Sequence, residues 1–319
     1  MSFASATEPF RAANRLAGRA LYTLRFFGEG PSGSVASSSG AAMPVEALPG
    51  GRNDLHTVFV CAGGTVSDWS RPAIHACLRR LARQGTRIGG ISGGPYILAE
   101  AGLLDGRDFT VHWEHDAALR EAFPHLHPRL ARFVVAQDRV TCGGGIAPID
   151  MAYALIAERM GPGFARRVSD WFLHTAVGAP EDPQRAPLTE RYGIHHPALV
   201  AALDAMEKAL EIPLGRRTLA VLAGVSERQL DRLFQDKLGR TLLDQYRAIR
   251  LDHARRLLHQ SPLSIGAVAA LSGFPDATHF ARCYRRRFGH TPSSERPLSF
   301  SAPPPVLGDD RPRAPSTSR

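Results

Sequence analysis

Cysteine is scarce in this 319-residue chain: Cys61, Cys77, Cys142 and Cys283 stand far apart, with no C-x-x-C spacing. That argues against a disulfide framework or a zinc ribbon and reads as small buried side chains of a reducing compartment. No apolar run approaches the ~20 residues a membrane helix needs. The opening MSFASATEPFRAANR lacks a cationic start followed by an apolar block, so no secretory signal is expected and the cytosol is the expected location. Thirty glycines without a Gly-X-Y period exclude collagen, and 44% hydrophobic residues exclude wholesale disorder.

What is present is unevenly distributed. The length suggests two domains. Residues 1–212 hold 21 basic and 21 acidic side chains, whereas residues 213–300 hold 15 and 7, a balance of +8. Nearly all of the net charge of +9 therefore sits in one block, which suggests a polyanion partner for the C-terminal part.

Strand and helix signals alternate up to residue 178. Thr57 to Cys61, Thr86 to Ile91, Thr110 to Trp113 and Arg132 to Val135 read as strands, while Arg71 to Gln84, Pro95 to Ala101 and Pro148 to Met160 read as helices. This order predicts an α/β layer with a largely parallel sheet over residues 1–178. Residues 179–196 read as a linker, starting in the proline- and charge-rich GAPEDPQR. Residues 197–300 carry helical signals only, and the proline-rich residues 301–319 are expected to be disordered.

Two segments of the helical block share one grammar. Leu219 to Phe234 and Ile265 to Tyr284 each give a short apolar helix, a turn at Gly224 or Gly273, and a capped second helix, with Ser226 and Pro275-Asp276 as the caps. Each is followed by a Leu-Gly or Phe-Gly pair, and the helix Leu243 to His259 lies between them. That is the plan of two helix-turn-helix units offered to a major groove. A lone unit of this kind is a weak signal, and two in a basic block are a strong one.

These residues, with Leu251-x-x-Ala254-Arg255-x-Leu257-Leu258, Gly273-Phe274 and Phe288-Gly289-His290-Thr291-Pro292-Ser293, resemble the AraC family of transcription regulators over roughly a hundred residues. By the family's motif the outward residues of the two recognition helices are Arg228, Asp231 and Arg232, and Ala277, Thr278 and Arg282. Ser226, Gln229 and Arg285 join them as expected DNA contacts. Arginine forks onto guanine O6 and N7, and threonine bonds a base or meets a thymine methyl. Asp231 is expected to accept from cytosine or to brace Arg228. Arg285, Arg286 and Arg287 are expected to position the duplex without reading it.

In the first half, Gly90-Ile91-Ser92-Gly93-Gly94 spells the G-x-S-x-G of a nucleophile elbow, which by itself suggests a serine hydrolase with His112 as base. A better match is the ThiJ/PfpI, or class I glutamine-amidotransferase-like, fold joined to an AraC module, as in GlxA-type regulators. It rests on Ala6 to Asn14, Val58 to Gly64, Leu98 to Arg107, Thr110 to Trp113, Thr141 to Asp150 and Val168 to His174. The resemblance implies a flavodoxin-like sandwich and places His112 at the family's histidine and Glu8 at its acidic partner. Enzymes of that fold carry a cysteine where this chain has Ser92, a weaker nucleophile, so ligand binding is expected and turnover is not. The fold ordinarily opens with an apolar strand before the helix of Glu8. Here the chain begins almost at that helix, so either the true start lies upstream or the sheet lacks its first strand.

The expected ligand site comprises Glu8, Gly64, Ser92, Gly93, His112 and Trp113, with the N–H groups of Gly93 and Gly64 holding an anion. Trp113 with Glu114 would cup a cation, or else belong to the core. His112, His115, His125 and His127 straddle a predicted strand and helix, so no metal is expected, and no cofactor. The resemblance implies a homodimeric activator that binds promoter DNA, addresses RNA polymerase and responds to an amino-acid-like or quaternary-amine metabolite.

Overall fold

The structure, a computed structural model, describes residues 1–29, 33–66, 69 and 71–295. The expected disordered tail, and residues 296–300 of the basic block, lie outside the described residues.

Helix α1 (Ser2–Ala17) opens the chain and stops at Gly18, whose φ of 63° a side chain would strain. Two short strand pairs follow, β1 (Phe27–Gly28) with β4 (Glu46–Ala47) and β2 (Ser34–Ala36) with β3 (Ala42–Pro44). The main sheet holds β5 (Thr57–Ala62), β6 (Arg87–Ser92), β7 (Phe133–Val135) and β8 (Arg139–Cys142) in the spatial order β5-β6-β8-β7. The first three neighbours run parallel, and β7 pairs antiparallel at the edge.

Both faces are covered, as a parallel sheet requires. On one side α2 (Pro72–Arg83) and α3 (Gly94–Glu100) pack Leu78, Leu81 and Leu98 with Ile88 and Phe109. On the other, α1 and α5 (Ala147–Met160) pack Ala6 and Met151 against Ile91, Phe133 and Cys142. Helix α6 (Pro162–Trp171) closes a further cluster with the buried side of α1.

Two readings change. Thr110 to Trp113 is not a strand but an irregular loop before α4 (Asp116–Ala122). Most of its backbone groups are satisfied by side chains and not by a ladder: Thr110 N–H donates to Thr141 Oγ1 at 2.8 Å, and Gln184 accepts from Trp113 N–H and donates to the Val111 carbonyl. The central β8 had no place among the expected strands, because it is short and begins at a charged residue. Arg139 is buried there by donating to the Leu103 carbonyl at 2.8 Å.

After α7 (Leu188–Tyr192) the remainder is helical: α8 (Pro197–Lys208), α9 (Arg216–Leu222), α10 (Glu227–Leu238), α11 (Leu242–Gln260), α12 (Ile265–Leu271), α13 (Ala277–Phe288) and α14 (Pro292–Glu295). The first half of α11 gives Leu242, Tyr246 and Ile249 to a core with Leu219, Leu230 and Phe234. Its second half gives Leu251, Ala254, Leu257 and Leu258 to a core with Val268, Phe280 and Tyr284. One rigid helix thus holds both units.

Candidate DNA interface and serine elbow

The two recognition helices are built alike. Ser226 caps α10 in a reciprocal box with Gln229, and Asp276 caps α13 by accepting the His279 N–H at 2.6 Å. Leu230 and Phe234 are buried in α10 as Phe280 and Tyr284 are in α13, each pair fifty residues on from its counterpart. The helices end at Gly239 and Gly289, with φ of 63° and 86°. The capping serine was visible in sequence, and in its box the Ser226 hydroxyl and the Gln229 Oε1 are already engaged with each other's residue.

Arg228 and Arg232 on α10, and Ala277, Thr278, Arg282 and Arg285 on α13, are exposed. Two expectations are corrected. Asp231 braces Arg216 of α9, in a close ion pair, and not Arg228. Arg287 leaves the expected basic run, since it forks onto Asp252 of α11 at 2.7 and 2.8 Å. Arg282, Arg285 and Arg286 line an open groove with Ala281 and Thr291.

In the first half, the turn after β6 has the strained geometry of an elbow. Ser92 is left-handed, with φ of 61°. Three glycines make room for it. A Cβ on Gly94 would strike the Val60 carbonyl, one on Gly93 would enter the Trp69 ring, and one on Gly144 would lie 2.7 Å from Ser92 Cβ. Trp69 itself is held by its indole N–H donating to the Gly63 carbonyl at 3.0 Å. It stood among residues that carried no motif, so sequence reasoning passed over it.

The expected ligand residues are only partly gathered. His112 joins Ser92 through the backbone, its N–H donating to the Ser92 carbonyl at 3.2 Å. Its Nδ1 accepts from Glu114 N–H at 3.3 Å and lies 3.7 Å from the Glu114 carboxylate. Burial lowers the His112 pKa, and Glu114 opposes that shift. The Gly93 N–H is not free for an anion, because it donates to the Ala62 carbonyl at 3.0 Å. Gly64 turns with φ of 90° just beyond β5. Glu8 faces Arg11 at 2.6 Å, and among the described residues its carboxylate bonds only that side chain. The start of α1 instead reaches the strand ends through Ser2, which accepts the Gly145 N–H at 2.9 Å.

Trp113 carries cations from its own chain. The Arg185 guanidinium lies over its ring 4.7 Å from the centroid, and that of Arg256 lies at 5.7 Å. The neighbouring His115 is buried against Trp69, with ring centroids 4.8 Å apart. Burial, aided by His112, pushes the His115 pKa down to about 4.

Comparison with known proteins agrees with this architecture. The DJ-1/PfpI family matches residues 4–158, and a helix-turn-helix domain matches residues 219–297. The HTH-type transcriptional regulator GlxA of Rhizobium meliloti (strain 1021) is 58% identical over 94% of this chain and 93% of its own length. The HTH-type transcriptional regulators GbdR and CdhR of Pseudomonas aeruginosa are each 39% identical, over 96% and 98% of this chain and 83% and 95% of their own lengths. A DJ-1/PfpI-like layer built around a serine elbow, followed by two capped recognition helices on one connecting helix, matches end to end with such a relative, and the chain belongs to the GlxA-type, AraC-family transcriptional regulators.

Proposed function

We propose that this protein binds promoter DNA through both recognition helices while residues 1–178 sense a small metabolite, in a homodimer that activates metabolic genes by addressing RNA polymerase. Residues 179–196 connect the sensor to the DNA-binding region that starts at 197. The observation that carries this reading is the repeated helix-turn-helix: two helices, each capped by a side chain and buried at matching positions, whose outer arginines stay exposed within the basic block. The open groove lined by Arg282, Arg285 and Arg286 would meet the phosphates of a duplex.

The test is retardation of the protein's own promoter region by the full chain across a salt series. With several phosphates neutralised, log affinity falls linearly with log salt, with a slope of roughly −0.9 per phosphate contact. A slope near zero, or no shift of any promoter fragment at low salt, overturns the reading.

For the effector, Ser92 and His112 supply hydroxyl and imidazole groups at the elbow, and Glu8 would add its carboxylate on leaving Arg11, a set suited to an amino-acid-like or quaternary-amine ligand. A thermal-shift screen of the full chain against amines and amino acids identifies it. Ser92 acts there as a hydrogen-bond partner and not as a nucleophile, so Ser92→Ala weakens the response by about 0.5–1.5 kcal/mol. The strained φ of Ser92 favours a second reading, a hydrolase with an accessory DNA-binding part. Esterase or amidase turnover lost specifically in Ser92→Ala would establish it.

A further inference from the structure

The loop beside the elbow, the linker and the connecting helix meet at one indole. His112 N–H donates to Ser92, and Trp113 follows it directly in the loop. From the linker, the Gln184 carboxamide enters that loop. It accepts the Trp113 N–H at 2.9 Å and directs Nε2 at Thr110 Oγ1, the Val111 carbonyl and the Ala131 carbonyl at 2.9, 2.9 and 2.7 Å. The space is tight: a Cβ on Gly143, next to the Gly144 that backs Ser92, would lie 2.8 Å from the Gln184 amide carbon.

The next residue, Arg185, lies over the Trp113 ring and within 3.8 Å of Glu207 on α8. Arg256 reaches the same ring from α11, the helix that holds both recognition units. One turn further along α11, the Gln260 side chain lies against His115 of the loop, and its hydrogen bond opposes the fall in the His115 pKa. Ala117 of α4 packs into the second core of α11. Two guanidinium groups on one indole, Arg185 exposed and Arg256 half-buried, repel each other unless the ring and nearby carboxylates offset it. Burial and the neighbouring Arg185 both hold the Arg256 pKa below its usual value.

We propose that Gln184, Trp113 and Arg256 form the coupling by which the state of the serine elbow reaches α11, the Gln184 carboxamide serving as a strap whose withdrawal releases Trp113 and loosens the helix under both DNA-reading units. This rests on the regulator reading above and names the element that would carry its signal. Coupling of this kind needs an element with two arrangements that both sites bias. A flexible side chain seated in a loop by four hydrogen bonds, and removable by crowding at Gly143, is such an element.

The test is hydrogen–deuterium exchange of the full chain in Gln184→Ala, Gly143→Ala and Arg256→Met, with no ligand or DNA added. Gln184→Ala removes the strap, Gly143→Ala crowds it out, and Arg256→Met keeps the stem while removing the charge. In the first two, exchange is expected to quicken at least about fivefold both in residues 110–116 and in residues 253–260, the low end of ordinary coupling energies. In Arg256→Met the same two segments respond, from the other end. Adding Arg256→Met to Gln184→Ala is expected to produce no further increase.

Loosening of residues 110–116 alone, with residues 253–260 as protected as in the parent, overturns the proposal, as does a simple addition of the two effects. If Gly143→Ala does not fold, Gln184→Ala carries the test, because it only removes atoms from a partly exposed linker. Promoter retardation of the same variants separates the two claims. If the parent fails to bind DNA while the two segments loosen together, the regulator reading falls and the coupling stands. If the parent binds and the segments move independently, only the coupling falls.

Discussion

Gly144 stands so close to Ser92 that a Cβ added to it would lie 2.7 Å from the serine Cβ. The strain of the elbow is therefore held in place by a glycine from a different strand end, at a φ of 88° that disfavours any side chain. Gly144→Ala is expected to cost about 1–3 kcal/mol from backbone strain plus collision, read as a lower midpoint in urea. Gly145→Ala is the control. Its φ of 62° is also left-handed but its Cβ would meet open space, so it should cost only about 1–2 kcal/mol. Equal losses in the two variants would mean that the contact with Ser92 contributes nothing.

Arg228 and Arg287 should separate cleanly. Arg228 is exposed on α10, so Arg228→Ala is expected to cost about 1–3 kcal/mol on the specific site and to relax base preference at one position. Arg287 is engaged with Asp252, and Arg287→Ala should lower stability by less than about 1 kcal/mol while leaving sequence preference unchanged. Competition retardation with specific and random duplexes distinguishes them. Equal losses on both duplexes would make Arg228 a phosphate contact.

Asp150 is fully buried and gathers three donors. Arg132 reaches it at 2.5 Å, His174 at 2.6 Å and the Gly178 N–H at 2.8 Å, where the linker begins. Asp150→Ala leaves these groups without their acceptor and is expected to destabilise the protein by about 3–5 kcal/mol in chemical denaturation. A loss below about 1 kcal/mol would show that water replaces the carboxylate.

His115 makes stability depend on pH. Its folded pKa of about 4 lies below the ordinary 6.5, so the unfolded chain binds the extra proton first. Its contribution is present in full above pH 6.5 and is lost as pH falls from 6.5 towards 4, to an extent on the order of 3 kcal/mol. His253 on α11 is likewise held down to about 4, by burial and by Arg256, and steepens the same limb. His115→Gln should flatten part of that acid limb in urea titrations between pH 7 and 4. An unchanged slope would show that His115 binds its proton equally well in the folded and the unfolded chain.

The helix-turn-helix units were legible residue by residue, because local rules make them. Caps, turn glycines and apolar spacing act within a few positions, and Ser226, Asp276, Gly224 and Gly273 announce them without help from distant parts of the chain. The elbow was legible for the same reason, since Gly-x-Ser-x-Gly states the backbone freedom that a left-handed serine needs nearby. What the sequence could not disclose was partnership at long range. That Asp231 turns to Arg216, that Arg287 turns inward to Asp252, and that Gln184 replaces a strand's ladder around Thr110 to Trp113 all depend on which side chains the fold brings together. Hydrogen bonds and ion pairs between residues tens of positions apart have no period or spacing to read. Periodicity and capping therefore determined the elements and the two recognition helices, while packing alone decided that Trp113, expected to cover a ligand, would lie beneath Arg185 and Arg256 at the junction with α11.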